Sequence, residues 1–313
     1  MTQDQKLPDL DEKRIAADKA RGIQFSEDNR TLVKYNTALP DKSYVIPDGV
    51  TEIGETAFIY SSLKEVILPA GMTTIGDGAF FITPLARVEI PDSVIRIGPH
   101  AFESCALTSV KLPQGVMAVE HYCFNMCGNL TEVKIPDGVT EIGVHAFCEC
   151  KNLTEVKIPD GVTEIGDFAF YGCKNLTEVK IPKSVTSIGS GVFGRCPKVE
   201  VALDNPKYFI DASGALIDRK TKELFYLPAG FSGKYTVPDS VKIIASNAFR
   251  GCEMLTTVNI PDGVIGIGWG AFLECPNLTA VNIPDSVKII TGNAFDGCPC
   301  EEQLKRDYPQ LFQ

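Results

Sequence analysis

A fifteen-residue stretch, NLTEVKIPDGVTEIG, stands at 129–143 and again at 152–166, identical and 23 residues apart. A recurring period of this length marks a chain assembled from repeated supersecondary units, each too small to bury its own apolar face. Aligned on an apolar-Pro step, the units start at Ile46, Leu68, Ile90, Leu112, Ile135, Ile158, Ile181, Val237, Ile260 and Ile283. That is ten units, the first three of 22 residues and most of the later ones of 23. The repeat overrides the expectation from length, since 313 residues at roughly 150 per domain suggest two independent domains.

Each position of I-P-D-G/S-V-x-x-I-G-x-x-A-F-x-x-C-x-N-L-T-x-V-x has a physical reading. The segment L-x-x-V-x-I, as in Leu153, Val156 and Ile158, ends in the alternation of a half-buried strand. Pro stops that strand because it has no N–H for the ladder, and ten of the 20 Pro are these stops. Asp-Gly or Asp-Ser then turns the chain. V-x-x-I-G brings two more apolar groups inward. A-F-x-x-C is too short for a full helix and predicts a single helical turn. Its phenylalanine is present in all ten units: Phe58, Phe80, Phe102, Phe124, Phe147, Phe170, Phe193, Phe249, Phe272 and Phe295. Stacked units put these rings in one buried column.

The pattern resembles the BspA-like leucine-rich repeat family, a class of 22–23-residue repeats common in bacterial surface and host-interaction proteins. The resemblance spans roughly residues 23–298. It implies an α/β, strand-dominated leucine-rich-repeat solenoid: a right-handed superhelix or horseshoe with a parallel sheet, short helical turns on the convex side and β-hairpin insertions. Members of the family serve as binding or adhesion modules, and that role is expected here by analogy.

The repeat is interrupted once. Ile181 and Val237 are 56 residues apart where 23 are expected. Within the extra segment, ALI and ELFYL flank a polar turn near Asp218–Thr221, which predicts a β-hairpin. The N-terminal segment has the same layout, with Gly22 matching Gly214, Leu32 matching Leu224 and Tyr44 matching Tyr235. The expected division is therefore an N-terminal helix and hairpin cap over 1–45, repeats one to seven over 46–202, a hairpin insertion over 203–236, repeats eight to ten over 237–300, and a cap over 301–313, all in one continuous solenoid. A short helix is expected over 9–21, ending near Gly22. A second is expected in the terminal cap with Leu304 turned inward, since solenoid ends must be covered. The insertion reads as a spacer that continues the core or, alternatively, as a projecting recognition or self-association element.

Eight of the 11 cysteines share one repeat position: Cys105, Cys127, Cys150, Cys173, Cys196, Cys252, Cys275 and Cys298. They read as a ladder of reduced, buried thiols, since an odd total argues against a complete disulfide framework and buried Cys packs as a small hydrophobe. Cys123 replaces the repeat's alanine and is expected to be buried. Cys148 occupies a variable position and is expected to be partly exposed. Cys300 begins the terminal cap.

Candidate chemistry is sparse. His121, Cys123, Cys127, His145, Cys148 and Cys150 fall in two successive units and raise the alternative of a metal site, but no C-x₂-C pair is present. His121 and Cys123 raise a nucleophile pair, although a catalytic thiolate needs an accessible sulfur. No G-x-S-x-G, Walker A or H-E-x-x-H motif occurs. The stronger candidates lie on the strand face. The residues flanking Val point outward, placing Glu132, Glu155 and Glu178 in one column and Lys111, Lys134, Lys157 and Lys180 in the next, with Asn259 and Asn282 continuing the latter after the hairpin and Ile67 and Glu89 preceding it. Diagonal Glu–Lys contacts are expected to offset like-charge repulsion within each column.

These features point to a non-enzymatic scaffold without a cofactor that binds a protein or glycan. With Lys+Arg 30 against Asp+Glu 40, the net charge of −10 argues against nucleic acid as partner. No apolar run is long enough for a membrane span, and the first residues contain no secretory h-region. As written, the sequence is expected to be cytoplasmic, or at the cell surface or secreted if a leader has been removed.

Overall fold

The computed structural model describes residues 7–312; residues 1–6 of the N-terminal cap and Gln313 of the C-terminal cap lie outside the described residues. The chain divides into two compact units, Met1–Val162 and Thr163–Gln313. Each is a solenoid of parallel strands, and most rungs have a strand carrying the x-V-x face, a two-residue strand at x-I-G, and a turn segment that carries the phenylalanine.

In the first unit, Ser43–Val45, Glu65–Ile67 and Arg87–Glu89 pair in parallel, Val66 opposite Val88, one repeat apart. Ser109–Lys111 pairs in the same way with Glu132–Lys134. On the neighbouring side, Thr31–Lys34, Glu52–Ile53, Thr74–Ile75 and Arg96–Ile97 form a parallel ladder. In the second unit, Glu178–Ile181 pairs with Glu200–Leu203, and Gly233–Thr236, Leu255–Asn259 and Ala280–Asn282 form a three-stranded parallel sheet.

The hairpin segments carry rungs of their own. Gln24–Phe25 runs antiparallel to Thr31–Lys34, which then joins the parallel ladder. In the second unit Tyr208–Ile210, Leu216–Asp218 and Glu223–Tyr226 form an antiparallel meander, and its last strand pairs in parallel with Ile243–Ile244. Ten repeats thus become about twelve turns. The matched residues play matched parts. Gly22 and Gly214 both hold positive φ, 83° and 84°, and Leu32 and Leu224 are fully buried. The Tyr44 hydroxyl donates to Asp18 at 2.7 Å and the Tyr235 hydroxyl to Asp211 at 2.9 Å. The acceptor comes from a helix in one case and from a strand turn in the other.

That helix, α1 (Glu12–Ala20), starts at Asp11, whose carboxylate accepts the Arg14 N–H at 3.0 Å, and buries Ile15 and Asp18. The C-terminal helix α2 (Glu301–Asp307) follows Cys300 and buries Leu304. Beyond it, the Ile290 N–H donates to Leu311 at 2.8 Å, so the chain end covers the last rung.

The A-F-x-x-C segments correct the sequence expectation. They contain no helical turn. In the rung of Phe58, the N–H groups of Ala57, Ile59 and Ser61 close local turns onto Gly54, Thr56 and Phe58. Those of Thr56, Phe58 and Tyr60 leave sideways, to Asp77 at 2.9 Å, Ala79 at 2.8 Å and Phe81 at 3.3 Å in the next rung. A helix would turn every N–H along its own axis; here alternate donors bind the neighbour. This alternation requires left-handed backbone two residues either side of the phenylalanine: φ is 52° at Thr56 and 57° at Tyr60, 57° at Tyr122 and 59° at Met126, 55° at Phe168 and 72° at Gly172. Each non-glycine residue in that region costs about 1–2 kcal/mol, which the lateral bonds and ring burial offset.

All ten phenylalanines are buried. In the first unit successive centroids from Phe58 to Phe147 lie 5.0–5.5 Å apart with rings within 10° of parallel, an offset stack. Tyr35 extends the column, 5.3 Å from Phe58. In the second unit Phe249, Phe272 and Phe295 stack at 4.5 and 4.9 Å.

The cysteine ladder serves this column. In most rungs the phenylalanine carbonyl accepts the backbone N–H of the residue three places on, as Phe102 does from Cys105 at 3.2 Å. The thiol of the following rung fills its other lone pair: Cys105 donates to Phe80 at 3.2 Å, Cys127 to Phe102 at 3.0 Å, Cys150 to Phe124 at 3.1 Å and Cys275 to Phe249 at 3.0 Å. Thr83 holds the same place and donates to Phe58 at 2.8 Å. The position therefore selects a small buried side chain with a donor. All 11 cysteines are buried.

Two outcomes follow. Phe124→Ala, with a neighbouring ring on each side, is expected to cost about 3–5 kcal/mol in denaturant unfolding. At the ladder, Cys127→Thr is expected to unfold near the parent midpoint, whereas Cys127→Val, of the same shape, costs about 1–2 kcal/mol more because the Phe102 carbonyl loses a donor. Equal stability of the two variants would reduce the ladder to packing alone.

Candidate interaction surface

The alternation along x-V-x determines the strand face. Val110, Val133 and Val156 are buried while the residues beside them face solvent. In the first unit this places Glu132, Glu155, Lys111, Lys134 and Lys157 on the surface, and in the second Glu178 and Lys180. Glu132 and Glu155 are directly opposite. The observed lysine contacts differ from the expected diagonal pairs. Lys134 reaches Glu132 of its own strand at 3.2 Å, Lys111 reaches Asp92 at 4.0 Å, and Lys180 reaches Asp204 at 3.9 Å. All are solvent-exposed pairs that add little stability.

Asn259 and Asn282 part company. Asn259 lies half-buried in the second unit's sheet. The Asn282 amide is taken up by the main chain, its oxygen accepting the Ile260 N–H at 2.8 Å and its nitrogen donating to the Ile260 carbonyl at 2.8 Å. It stands in for a missing backbone rung, a role its surface position in the alternation did not signal.

The strand face also contains a break that the repeat conceals. Among the described residues no strand pairing joins Arg87–Glu89 to Ser109–Lys111. The surface there opens into two adjoining cavities of 510 and 550 Å³ that share Leu68, Val88, Glu89 and Ser109. Lys111 and Asp92 stand at the edge of the second and Arg87 at the edge of the first. Val88 is half-buried where Val66 and Val110 are buried.

The His/Cys residues do not converge. The Cys123 and Cys127 side chains are fully inside, and burial pushes the Cys123 thiol well above its ordinary range and Cys127 up to about 12. These are protonated thiols, the opposite of an activated nucleophile. His121 is exposed, and its Nδ1 accepts the Val144 N–H at 2.9 Å. His145 lies against Tyr122, which is stacked on its other face by His100, at 4.8 and 4.6 Å. Cys150 is in the ladder. Among the described residues no group of three or more His, Cys, Asp or Glu is placed to hold a metal ion.

Cys148 corrects the expectation of partial exposure: it is buried. Its column, one residue after the phenylalanine, is packed side against side. Asn125 donates to Glu103 at 2.7 Å, and both are buried. Burial at this position varies from rung to rung, from buried Glu103, Asn125, Cys148 and Tyr171 to exposed Asp296. His100 in turn contacts Glu103 through Nδ1. In the second unit the same column holds Tyr171 and Arg250, whose guanidinium lies 5.0 Å from the Tyr171 ring.

The model of the BspA type leucine rich repeat region matches in six copies over residues 35–116, 73–200 and 223–306. A leucine rich cell surface protein from Faecalibacterium prausnitzii A2-165 is similar at 26% identity and TM-score 0.65, over 88% of this chain and 84% of that one. A leucine-rich repeat protein from Bacteroides ovatus ATCC 8483 is similar at 25% identity and TM-score 0.54, over 93% and 88%. The pneumococcal vaccine antigen PcpA, 20% identical with TM-score 0.57 over 85% and 66%, shares the fold. No curated protein sequence matches the chain. Among the described residues no helix is long and apolar enough to cross a membrane. With an in-register repeat, the stacked phenylalanine column and a family match over most of its length, the chain belongs to the BspA-type leucine-rich repeat family.

Proposed function

We propose that the protein is a non-enzymatic binding scaffold that recognises a protein partner through its strand face, in adhesion or host interaction at a cell surface. One observation carries this reading: the buried positions of the rung are nearly constant while the solvent-facing positions beside each buried valine change along the chain. In the first unit the outer column passes from Val45 and Ile67 through Glu89 to Lys111, Lys134 and Lys157. The scaffold could repeat one polar pair everywhere at no cost to its core; it presents instead an apolar edge, an open polar depression and a charged tract. A rigid, preorganised surface of this kind binds through many weak contacts with little ordering cost. The cell-surface description of the Faecalibacterium relative supports the location. A glycan is the second reading, favoured by the depression whose walls include the charged and hydroxyl groups of Glu65, Arg87, Glu89, Thr108 and Ser109.

The test is charge reversal at Lys134, Lys157 and Lys180 to Glu together. Capture of host surface proteins on the immobilised chain is expected to fall at least fivefold, while the thermal midpoint stays within about 2 °C because the exposed pairs contribute little. Undiminished capture by the folded triple variant would sink the strand-face reading. Capture that survives protease treatment of the host material and disappears on deglycosylation moves the partner to the glycan class.

A further inference from the structure

The interruption of the repeat contributes a wall to a cavity in the second unit. Ala229, just beyond the hairpin strand Glu223–Tyr226, closes a cavity of 290 Å³ whose other walls include Lys174, Arg195, Pro197 and Met254. Its electrostatics are unbalanced. Arg195 Nη2 meets Glu274 Oε2 at 2.9 Å, and Arg250 Nε approaches the same oxygen at 3.6 Å. The Tyr171 hydroxyl donates to that oxygen as well, at 3.3 Å. One carboxylate oxygen thus serves two guanidinium groups and a phenol.

Two further facts set the charge that a ligand would meet. The Arg195 Nε is sealed from solvent, so only the outer nitrogens of its guanidinium can face the cavity. Lys174 is exposed, and among the described residues no acidic group lies within ion-pair distance of its ammonium. Glu253 also lines the cavity and is exposed, so Lys174, Arg195 and Arg250 face Glu274 and Glu253 with one charge in excess. Arg250 is held against the rings of Phe168 and Tyr171 at 5.6 and 5.0 Å, which keeps it from filling the cavity. Arg195 is placed by a glycine: a Cβ on Gly251, where φ is 73°, would come within 2.6 Å of Arg195 Cγ. Glutamate occupies the equivalent left-handed position at Glu149 and Glu274.

We propose that this cavity captures the free C-terminal carboxylate of a peptide that ends in an aliphatic residue. Arg195 and Lys174 take the carboxylate as charge-assisted donors, and Pro197, Ala229 and Met254 offer apolar contacts to the side chain. The apolar walls favour this occupant over an acidic sugar, whose ring hydroxyls would find few partners there. The site is separate from the strand face and stands or falls independently of it.

Fluorescence anisotropy on the full chain decides it, with a labelled Gly-Ser-Gly-Ser-Leu peptide carrying a free C-terminus, the same peptide amidated, and glucuronic acid as competitor. Binding of the free acid is expected to exceed that of the amide at least tenfold. Lys174→Glu, a surface change, is expected to weaken it at least fivefold, and Arg195→Gln likewise, while Lys157→Glu leaves it unchanged. Lys174→Glu decides the matter if Arg195→Gln does not fold. Equal binding of acid and amide, full affinity in Lys174→Glu, no binding of the free acid at millimolar concentration, or displacement by glucuronic acid as effective as by unlabelled peptide would each overturn the proposal.

Discussion

Register is the constraint on which the rest of this structure depends. A rung of 22 or 23 residues is too thin to bury a phenylalanine by itself. It does so only when the next rung offers another ring at the same place, offset and nearly parallel, as Phe80, Phe102 and Phe124 do at 5.4 and 5.5 Å. A slip of one residue would remove the ring from its partners and turn the flanking valines to solvent. Burial and backbone pairing therefore act on the same variable. The valines align because the strands pair in parallel, and the strands pair because the turn segments donate alternate N–H groups to the following rung.

That demand explains features that look wasteful in a single rung. Left-handed backbone at Thr56, Tyr60, His100 and Met126 is costly for residues with a Cβ. It is the geometry that lets neighbouring amides point in alternate directions, one closing the turn and the next reaching sideways. The thiols follow from the same economy. A phenylalanine carbonyl buried between rungs has two lone pairs; the local N–H takes one and the next rung's side chain the other. Cysteine and threonine both satisfy it, as Cys105 and Thr83 show. Ser61, in the first repeat, has an Oγ that is buried without a partner, which marks where the ladder of donors begins.

Much of this was legible in the sequence because periodicity is a direct record of register. The strand residues, the proline stops, the phenylalanine column and the buried cysteines could be read from identical spacing. So could the kinship of the two hairpin segments, down to the tyrosines that donate to Asp18 and Asp211. What escaped was what periodicity does not encode. A-F-x-x-C was read as a helical turn because spacing cannot distinguish a turn that bonds along the chain from one that bonds across it. Cys148 was read as partly exposed because its column varies, yet in its own rung and at Glu103 and Asn125 the column is buried, while at Asp296 it is open to solvent. Asn282 resembled a surface residue of the lysine column, and only the coordinates reveal its amide bridging Ile260. The lapse between Arg87–Glu89 and Ser109–Lys111 falls between two units of equal length, so nothing in the spacing announces it.

A fold governed by register divides its residues into those the neighbours dictate and those they leave alone. The strand face belongs to the second group, and so does the left-handed position after the phenylalanine, which holds Tyr60, Ile82, Met126, Arg195 and Glu274 in different rungs. Regular rungs also open cavities where a strand pairing lapses, as beside Val88. Within the second unit the inserted meander adds a wall of another kind: Ala229 lines a cavity together with Arg195, which crosses Gly251. The proposed recognition of a broad partner and the proposed capture of a small charged terminus thus draw on different parts of the same scaffold.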